Sequence, residues 1–242
     1  MANILLIETA TTVCSVGISH DGTLVSIRED SGFQYSHSSS LTVFIEEVMQ
    51  ELQLPFGALD AVAVSRGPGS YTGLRIGVAA AKGLCYALNL PIIAVDTLHS
   101  LANQCITTHF ATRQHLVNPA APILFCPMID ARRMEVYCCL YDQHCKPMGS
   151  VEAKIIHSES FDDILQNHQI VFFGNGAVKS ATVIQHPHAL FLDGVAASVR
   201  GMSHSAAEKF RSKEFEDIAY FEPFYLKDFV AAAPRVKGLR RL

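Results

Sequence analysis

Short apolar runs separated by turn residues occupy the start of the chain, and a helical period follows them. The runs are rich in β-branched residues and predict a three-stranded meander. Apolar residues then recur at helical spacing from Leu41 to Leu52, with serines before them and Pro55 after them, which predicts an amphipathic helix. The predicted order βββαβαβα consists of strands at 4–8, 14–19 and 24–28, a helix at 39–52, a strand at 61–65, a helix at 70–88, a strand at 91–95 and a helix from 97.

The same order of elements begins again near residue 121. A repeated order without evident sequence identity predicts two duplicated lobes with a cleft between them, and the alternative is a single α/β domain with many elements. The second set comprises strands at 123–129, 135–141 and 149–156, a helix at 159–166, a strand at 170–173, a helix after the turn at 174–176, a short strand at 189–192 and a helix at 196–210.

Three turns of this pattern have the residue types that hold phosphate groups. Glycines at a strand-to-helix turn let backbone amides approach a ligand, and the helix dipole favours an anion there. A carboxylate with hydroxyls at the end of the first strand could position a magnesium-bound water. The alternatives are a capped tight turn, a hairpin bend and a sharp helix entry. The candidate phosphate residues are Glu8, Thr9, Thr11, Gly67, Gly69, Ser70, Gly174 and Gly176.

Composition restricts the classes of partner. Hydrophobic residues make up 49% and charged residues 17%, which excludes disorder and suggests that a partner covers some apolar surface. The net charge of −4 argues against nucleic-acid binding by a global field, so any RNA contact is local or shared. The exception is the basic end of the chain, which contains Arg235, Lys237, Arg240 and Arg241.

Cysteine usage and hydropathy bear on the compartment. The seven cysteines follow no secretory signal and no apolar run could span a bilayer, so we expect a cytoplasmic protein without a membrane segment. Cys138, Cys139, His144 and Cys145 lie close in sequence, but their spacing does not fit known zinc ligand patterns. The sequence leaves the role of this group open.

The doubled element order resembles the actin and sugar kinase superfamily. The resemblance implies an α/β fold of two actin-like (ribonuclease H-like, ASKHA) lobes, each βββαβαβα, with a central mixed sheet. On this chain the N-terminal lobe would be 1–110 and the C-terminal lobe 111–218. The remaining tail, 219–242, would return to the N-terminal lobe and end in a mobile basic segment.

Four motifs make the resemblance specific, at 7–11, 66–75, 130–137 and 222–227. In this order they resemble the bacterial TsaB (YeaZ) family. The resemblance implies a non-catalytic subunit for threonylcarbamoylation of adenosine 37 in tRNAs that read codons starting with A. Its partners would be the transferase TsaD and the ATPase TsaE, with a homodimer when alone and tRNA contacted only through the complex. The family-motif residues are Arg66, Asp130, Arg132, Glu135 and Tyr225.

The catalytic paralogue in that resemblance holds its metal with a His-x-x-x-His pair. Here Thr97 and Leu101 stand at those positions, and no two of the eleven histidines are three or four residues apart. We therefore expect no metal and no catalytic residue, with weak ATP or ADP binding left open. The runner-up function is an ATP-dependent small-molecule kinase with Asp130 as general base. A metal-dependent glycoprotease is disfavoured, because no Gly-x-Ser-x-Gly or His-Glu-x-x-His motif is present.

The helices 39–52 and 70–88 would then form the subunit interface. Gly73, Gly77 and Ala81 make a small-residue stripe that allows another helix to lie close, although the stripe could equally pack on this chain's own sheet. Arg132 and Arg133 could contact tRNA phosphates, a partner's carboxylate or an acid of their own lobe. The predicted interface residues are Leu41, Phe44, Ile45 and Val48, taken as exposed, with Tyr71, Thr72, Gly73, Gly77, Ala81 and Leu84.

Overall fold

The fold consists of two five-stranded mixed sheets of the same topology. It was obtained as a computed structural model that describes residues 1–30, 37–110 and 121–227. The first sheet has the order β3-β2-β1-β4-β5 and the second β8-β7-β6-β9-β10, so the first strand of each set lies at the centre. In each sheet the first three strands are antiparallel and the last two run parallel to the first. This repeat confirms the predicted fold of two actin-like lobes. The strands are β1 Asn3–Glu8, β2 Cys14–His20, β3 Thr23–Asp30, β4 Ala61–Gly67, β5 Ile92–Asp96, β6 Ile123–Asp130, β7 Glu135–Cys138, β8 Glu152–Ile155, β9 Gln169–Phe173 and β10 Ala189–Leu192.

The helices follow the predicted order with shorter bounds in the second lobe. The predicted helix at 196–210 is divided, because Ser198 caps a separate 3₁₀ turn at Val199–Gly201 before the α-helix begins. Gly201 packs there against the Ser100 carbonyl, where a Cβ atom would overlap it. Within the described ranges no helix has the length and apolar character required to cross a membrane. The helices are α1 His37–Glu51, α2 Tyr71–Leu88, α3 Thr97–Gln104, α4 Asp162–Leu165, α5 Ala177–Ser180 and α6 Ser203–Ser212.

The last helix of each lobe packs on the sheet of the other lobe. Leu101 of α3 lies in a core with Phe125 of β6, and Ala206 of α6 lies in a core with Leu6 of β1. The predicted boundary at residue 110 therefore separates the two sheets but cuts through two packed cores. A sequence division cannot reveal this exchange, because both helices carry apolar faces that would suit either sheet.

The segment after α6 lies on the first lobe. The Glu216 amide donates to the Ile92 carbonyl (2.9 Å), and the Phe224 amide donates to the Arg66 carbonyl (2.7 Å). Phe221 is buried in the core between β1, α1 and α2. The basic residues at 235–241 lie outside the described residues, so the predicted mobile tail stays a prediction.

Candidate functional site

The glycine turn between β4 and α2 is packed against its own chain. A Cβ atom at Gly67, whose φ is +115°, would lie 2.6 Å from the Phe224 carbonyl oxygen, and one at Gly69 would overlap the Ala10 carbonyl oxygen. The Ser70 amide donates to that same Ala10 oxygen (2.7 Å), and the Ser70 hydroxyl caps α2 by accepting from the Gly73 amide (3.3 Å). The space that these glycines leave is thus occupied by carbonyl oxygens, which repel a phosphate.

The small-residue stripe of α2 faces the turn after β1. A Cβ atom at Gly73 would overlap the Thr9 carbonyl oxygen, and one at Gly77 would overlap the Thr9 hydroxyl. That hydroxyl donates to the Gly73 carbonyl (2.8 Å), and Ala81 is fully buried below them. The stripe therefore serves packing within the lobe, and placing Gly73, Gly77 and Ala81 at a subunit interface was wrong.

The apolar face of α1 is also directed inward. Leu41, Ile45 and Val48 are buried at 2%, 5% and 0% exposure against β1, β2 and β4, so the expectation that they are exposed was wrong. Phe44 is half-buried on the same core. The reason is that this face of the first sheet would otherwise meet water.

A different set of residues forms the outer face of α1 and α2. Val43 of α1 is 48% exposed and Tyr86 of α2 is 83% exposed. Ala79 and Gly83 of α2 are also exposed, and a Cβ atom at Gly83 would meet nothing within 4 Å. Of the other predicted interface residues, Thr72 is exposed, and Tyr71 and Leu84 are partly buried.

Glu8 is the last residue of β1, and it lies in a row of polar side chains that crosses neighbouring strands of the first sheet. Its Oε1 accepts from the Ala10 amide (2.7 Å), whereas no partner of its buried Oε2 is found among the described residues. Burial raises the pKa of Glu8 to about 7, opposed by hydrogen bonds from the turn and from Ser65. Across β2 the row continues with Ser15, which donates to Glu29 of β3 (3.1 Å). A magnesium ligand must be ionised and accessible. Glu8 does not meet the second condition, because it is buried with Thr9 and Thr11 beside it.

The glycine turn of the second lobe repeats the arrangement of the first. A Cβ atom at Gly174, whose φ is +97°, would overlap the Met128 carbonyl oxygen, and the Gly176 amide donates to that oxygen (2.9 Å). In both lobes, glycines bring the start of a helix onto the end of the first strand of the sheet. Nucleotide binding at either turn stays a prediction.

Asp130 sits in a hairpin that joins β6 to β7. Its Oδ1 accepts from Lys179 of α5 and from the Arg132 amide (2.7 Å). Both donors belong to the same lobe and hold Oδ1 in place, which argues against the kinase function that uses Asp130 as base. Glu135, at the start of β7, pairs with Lys227 of the C-terminal segment.

The positions of the paralogue's metal ligands are filled by packing residues. Leu101 is buried in the second-sheet core, and Thr97 is fully buried at the start of α3. His99 is half-buried with its ring 6.0 Å from the ring of Tyr141, and desolvation lowers its pKa. In the three described ranges, no group of three histidines, cysteines or acids is arranged to hold a metal.

Comparison with known proteins gives the family. The family model described as TsaD, tRNA N6-adenosine threonylcarbamoyltransferase, matches residues 33–225. The TsaB protein of Escherichia coli is 27% identical over 94% of this chain and 96% of its own length. The TsaB protein of Haemophilus influenzae is 34% identical over 55% of this chain and 51% of its own length. The chain belongs to the threonylcarbamoyltransferase family, in its TsaB (YeaZ) branch.

The fold agrees with this assignment. A crystal structure from Pseudomonas aeruginosa, described as similar to the peptidase YEAZ, superimposes with a TM-score of 0.79 at 23% identity, covering 94% of this chain and 100% of that one. Of the motif residues, Arg66 pairs with Asp96 at 2.7 Å, and Tyr225 lies against Tyr71 with ring centroids 4.9 Å apart. Sequence reasoning did not predict the ion pairs of Lys179 and Lys227, because a pair formed across the fold has no local signal.

Three of the cysteines of this TsaB chain are buried together in the second lobe. Cys126, Cys138 and Cys139 line a pocket of about 240 Å³ between β6, β7 and the loop before β8. Burial raises the pKa of the Cys126 thiol well above its usual value, and that of Cys145 to about 12. The raised pKa values reflect desolvation of these thiols inside the second lobe.

Proposed function

We propose that the chain is a non-catalytic subunit in threonylcarbamoylation of adenosine 37 of tRNAs that read codons starting with A. It pairs with a TsaD-like transferase, recruits a TsaE-like ATPase and self-associates when alone. The family supports the pathway, since its curated relatives are named tRNA threonylcarbamoyladenosine biosynthesis proteins. We place it in the cytoplasm, where its seven free cysteines would stay reduced.

The non-catalytic role is supported by residues at the places where chemistry would be expected. Leu101 and Thr97 are packed, Asp130 is ion-paired, and Glu8 is buried. Each of these groups is enclosed by or bonded to residues of its own chain, and a substrate would have to displace those contacts. The contribution of the chain to modification would therefore come from the surface that it presents to the transferase.

The proposed pairing with the transferase rests on the outer face of α1 and α2. Ala79 and Gly83, four residues apart on α2, are small and exposed, and Tyr86 on the same helix is exposed as well. A partner helix can approach such small residues closely, and each Å² of apolar area removed from water contributes about 25 cal/mol. Tyr86, exposed at 83%, is the type of residue that anchors interfaces.

The substitution Gly83→Arg tests the pairing. The added side chain would point into open space in the free chain but into the partner in the complex. We expect the variant to keep the melting temperature of the wild type within a few degrees and to lose co-purification with the transferase. We expect tRNA modification in a reconstituted reaction to fall with it.

Gly149→Arg is the matched control, because a Cβ atom at Gly149 also meets nothing within 4 Å and the residue lies on the second lobe. The control should pair and support modification normally. If Gly83→Arg binds the transferase as tightly as the wild type, the proposed interface is wrong. If wild-type chain is dispensable for modification, the proposed function is wrong.

A further inference from the structure

Two adjacent arginines occupy the turn between β6 and β7 in an unusual backbone conformation. Arg132 and Arg133 have φ values of 71° and 50°. Consecutive left-handed residues at a hairpin turn are usually glycine, asparagine or aspartate, because a longer side chain is disfavoured there. Residues in such conformations persist where the surroundings fix the backbone, and they cluster at functional sites.

The surroundings fix this backbone from several sides. The Arg132 carbonyl accepts from the Glu135 amide (3.2 Å), and the Arg133 carbonyl accepts from Lys179 of α5 (2.7 Å). The Arg132 amide donates to Asp130 (2.7 Å). The turn is thus rigid, whereas both arginine side chains are exposed.

The acids nearest to these arginines are engaged by other cations. Asp130 accepts from Lys179, and Glu135 pairs with Lys227. The sequence left three partners open for these arginines, and one of them was an acid of their own lobe. Among the described residues, no such acid pairs with either guanidinium group. The two charges face outward.

A tilted pair of tyrosine rings lies on the first lobe, next to the segment that reaches the hairpin. Lys227, which reaches Glu135 on the hairpin, follows Tyr225 by two residues. The ring of Tyr225 lies against Tyr71 with centroids 4.9 Å apart, and the Arg75 guanidinium carbon lies 4.4 Å from the Tyr71 centroid. The exposed acid Glu222 lies near Arg75, and its charge would repel a phosphate.

We propose that Arg132 and Arg133 bind the phosphate backbone of the tRNA substrate within the complex. Rigidly presented guanidinium groups match phosphate oxygens, and tyrosines with arginine beside them are the usual platform for unpaired bases. A net charge of −4 requires that RNA be held by such a local surface. This inference rests on the proposed function, because it supplies the contact of the same complex with its substrate.

The double substitution Arg132→Gly, Arg133→Gly in the full chain tests the proposal. Glycine tolerates the left-handed turn, so the melting temperature should rise while tRNA binding weakens. With the transferase complex and an unmodified transcript of a tRNA that reads a codon starting with A, we expect affinity to fall roughly tenfold. The slope of log affinity against log salt should shrink by about 1.5, since two phosphate contacts are lost.

The double substitution Arg211→Ala, Lys213→Gly is the matched control. It removes the same charge from the end of α6, and Lys213 also has a left-handed φ of 59°. It should leave the affinity and the salt slope unchanged, and Arg132→Lys, Arg133→Lys should keep the slope. Equal affinity and slope for wild type and the glycine variant would overturn the proposal.

Loss of transferase binding by the glycine variant would also overturn it, because the arginines would then contact an acidic protein surface. Binding of the wild-type chain to the transferase, measured in the same samples, tests the proposed function separately. The role of the arginines is tested by the difference in tRNA affinity between variant and wild type, measured in complexes that form equally well.

Discussion

Single residues at the ends of the strands explain why the turns resemble a nucleotide site. Gly69 and Gly176 are needed because backbone carbonyls of Ala10 and of the β6 strand lie against them. Glycine at a strand-to-helix turn looks the same in sequence whether a phosphate or a carbonyl occupies the space beside it. Only the atoms across the turn distinguish the two cases.

Glu8 gives a pH-dependent prediction at this scale. Its pKa is about 7 in the folded chain against an ordinary 4.5, because burial disfavours the charged form. The folded state therefore binds a proton between these values that the unfolded state has lost. The contribution of Glu8 to the free energy of unfolding is fully present below pH 4.5 and is lost as pH rises to 7.

Glu8→Gln should remove this dependence. Urea unfolding at pH 5 and pH 8 should show the wild type losing about 2–3 kcal/mol relative to the variant over that interval. Other titrating groups are common to both proteins, so they cancel in the comparison. Parallel pH profiles would show that Glu8 is ionised in the folded chain.

At the scale of elements, most assignments follow from local pattern and most errors come from what an element packs against. The helical period from Leu41 to Val48 correctly predicts α1, but the face that carries it covers the chain's own sheet. The same holds for the stripe Gly73–Gly77 on α2. Periodicity identifies the apolar face of a helix but not the surface that buries it.

Lys179 gives the prediction at this scale, because it joins α5 to the β6–β7 hairpin. Its ammonium donates to the Asp130 carboxylate and to the carbonyls of Arg133 (2.7 Å) and Glu135 (2.6 Å). Lys179→Met should lower the free energy of unfolding by about 2–3 kcal/mol, because charged hydrogen bonds are lost while their acceptors stay in place. Urea denaturation measures this loss.

Lys154→Met is the control, since Lys154 forms a partly exposed pair with Glu152 at 3.1 Å. Such pairs contribute about 0–1 kcal/mol. Equal losses in the two variants would mean that Lys179 does not hold the hairpin.

For the whole molecule, the exchange of α3 and α6 makes the lobes dependent on each other. Leu6, Ile93 and Ala206 share one core although α6 follows the second sheet in sequence. The fragment 1–110 therefore lacks the cover of one sheet face. We expect it to remain unfolded or to aggregate, without a cooperative thermal transition by circular dichroism, whereas the full chain unfolds in one. A fragment with a cooperative transition and a dispersed NMR spectrum would contradict this prediction.

The sequence by itself determined the doubled βββαβαβα order, the actin-like fold and the family, because periodicity, turn residues and motif order are local properties of the chain. It also showed that no two histidines have the helical spacing at which they could bind a metal together. Tertiary structure decided which faces are exposed, that the glycines receive carbonyls, that Lys179 and Lys227 neutralise Asp130 and Glu135, and that Arg132 and Arg133 face outward. These properties depend on the neighbours of each residue in the folded chain, and those neighbours are far away in the sequence.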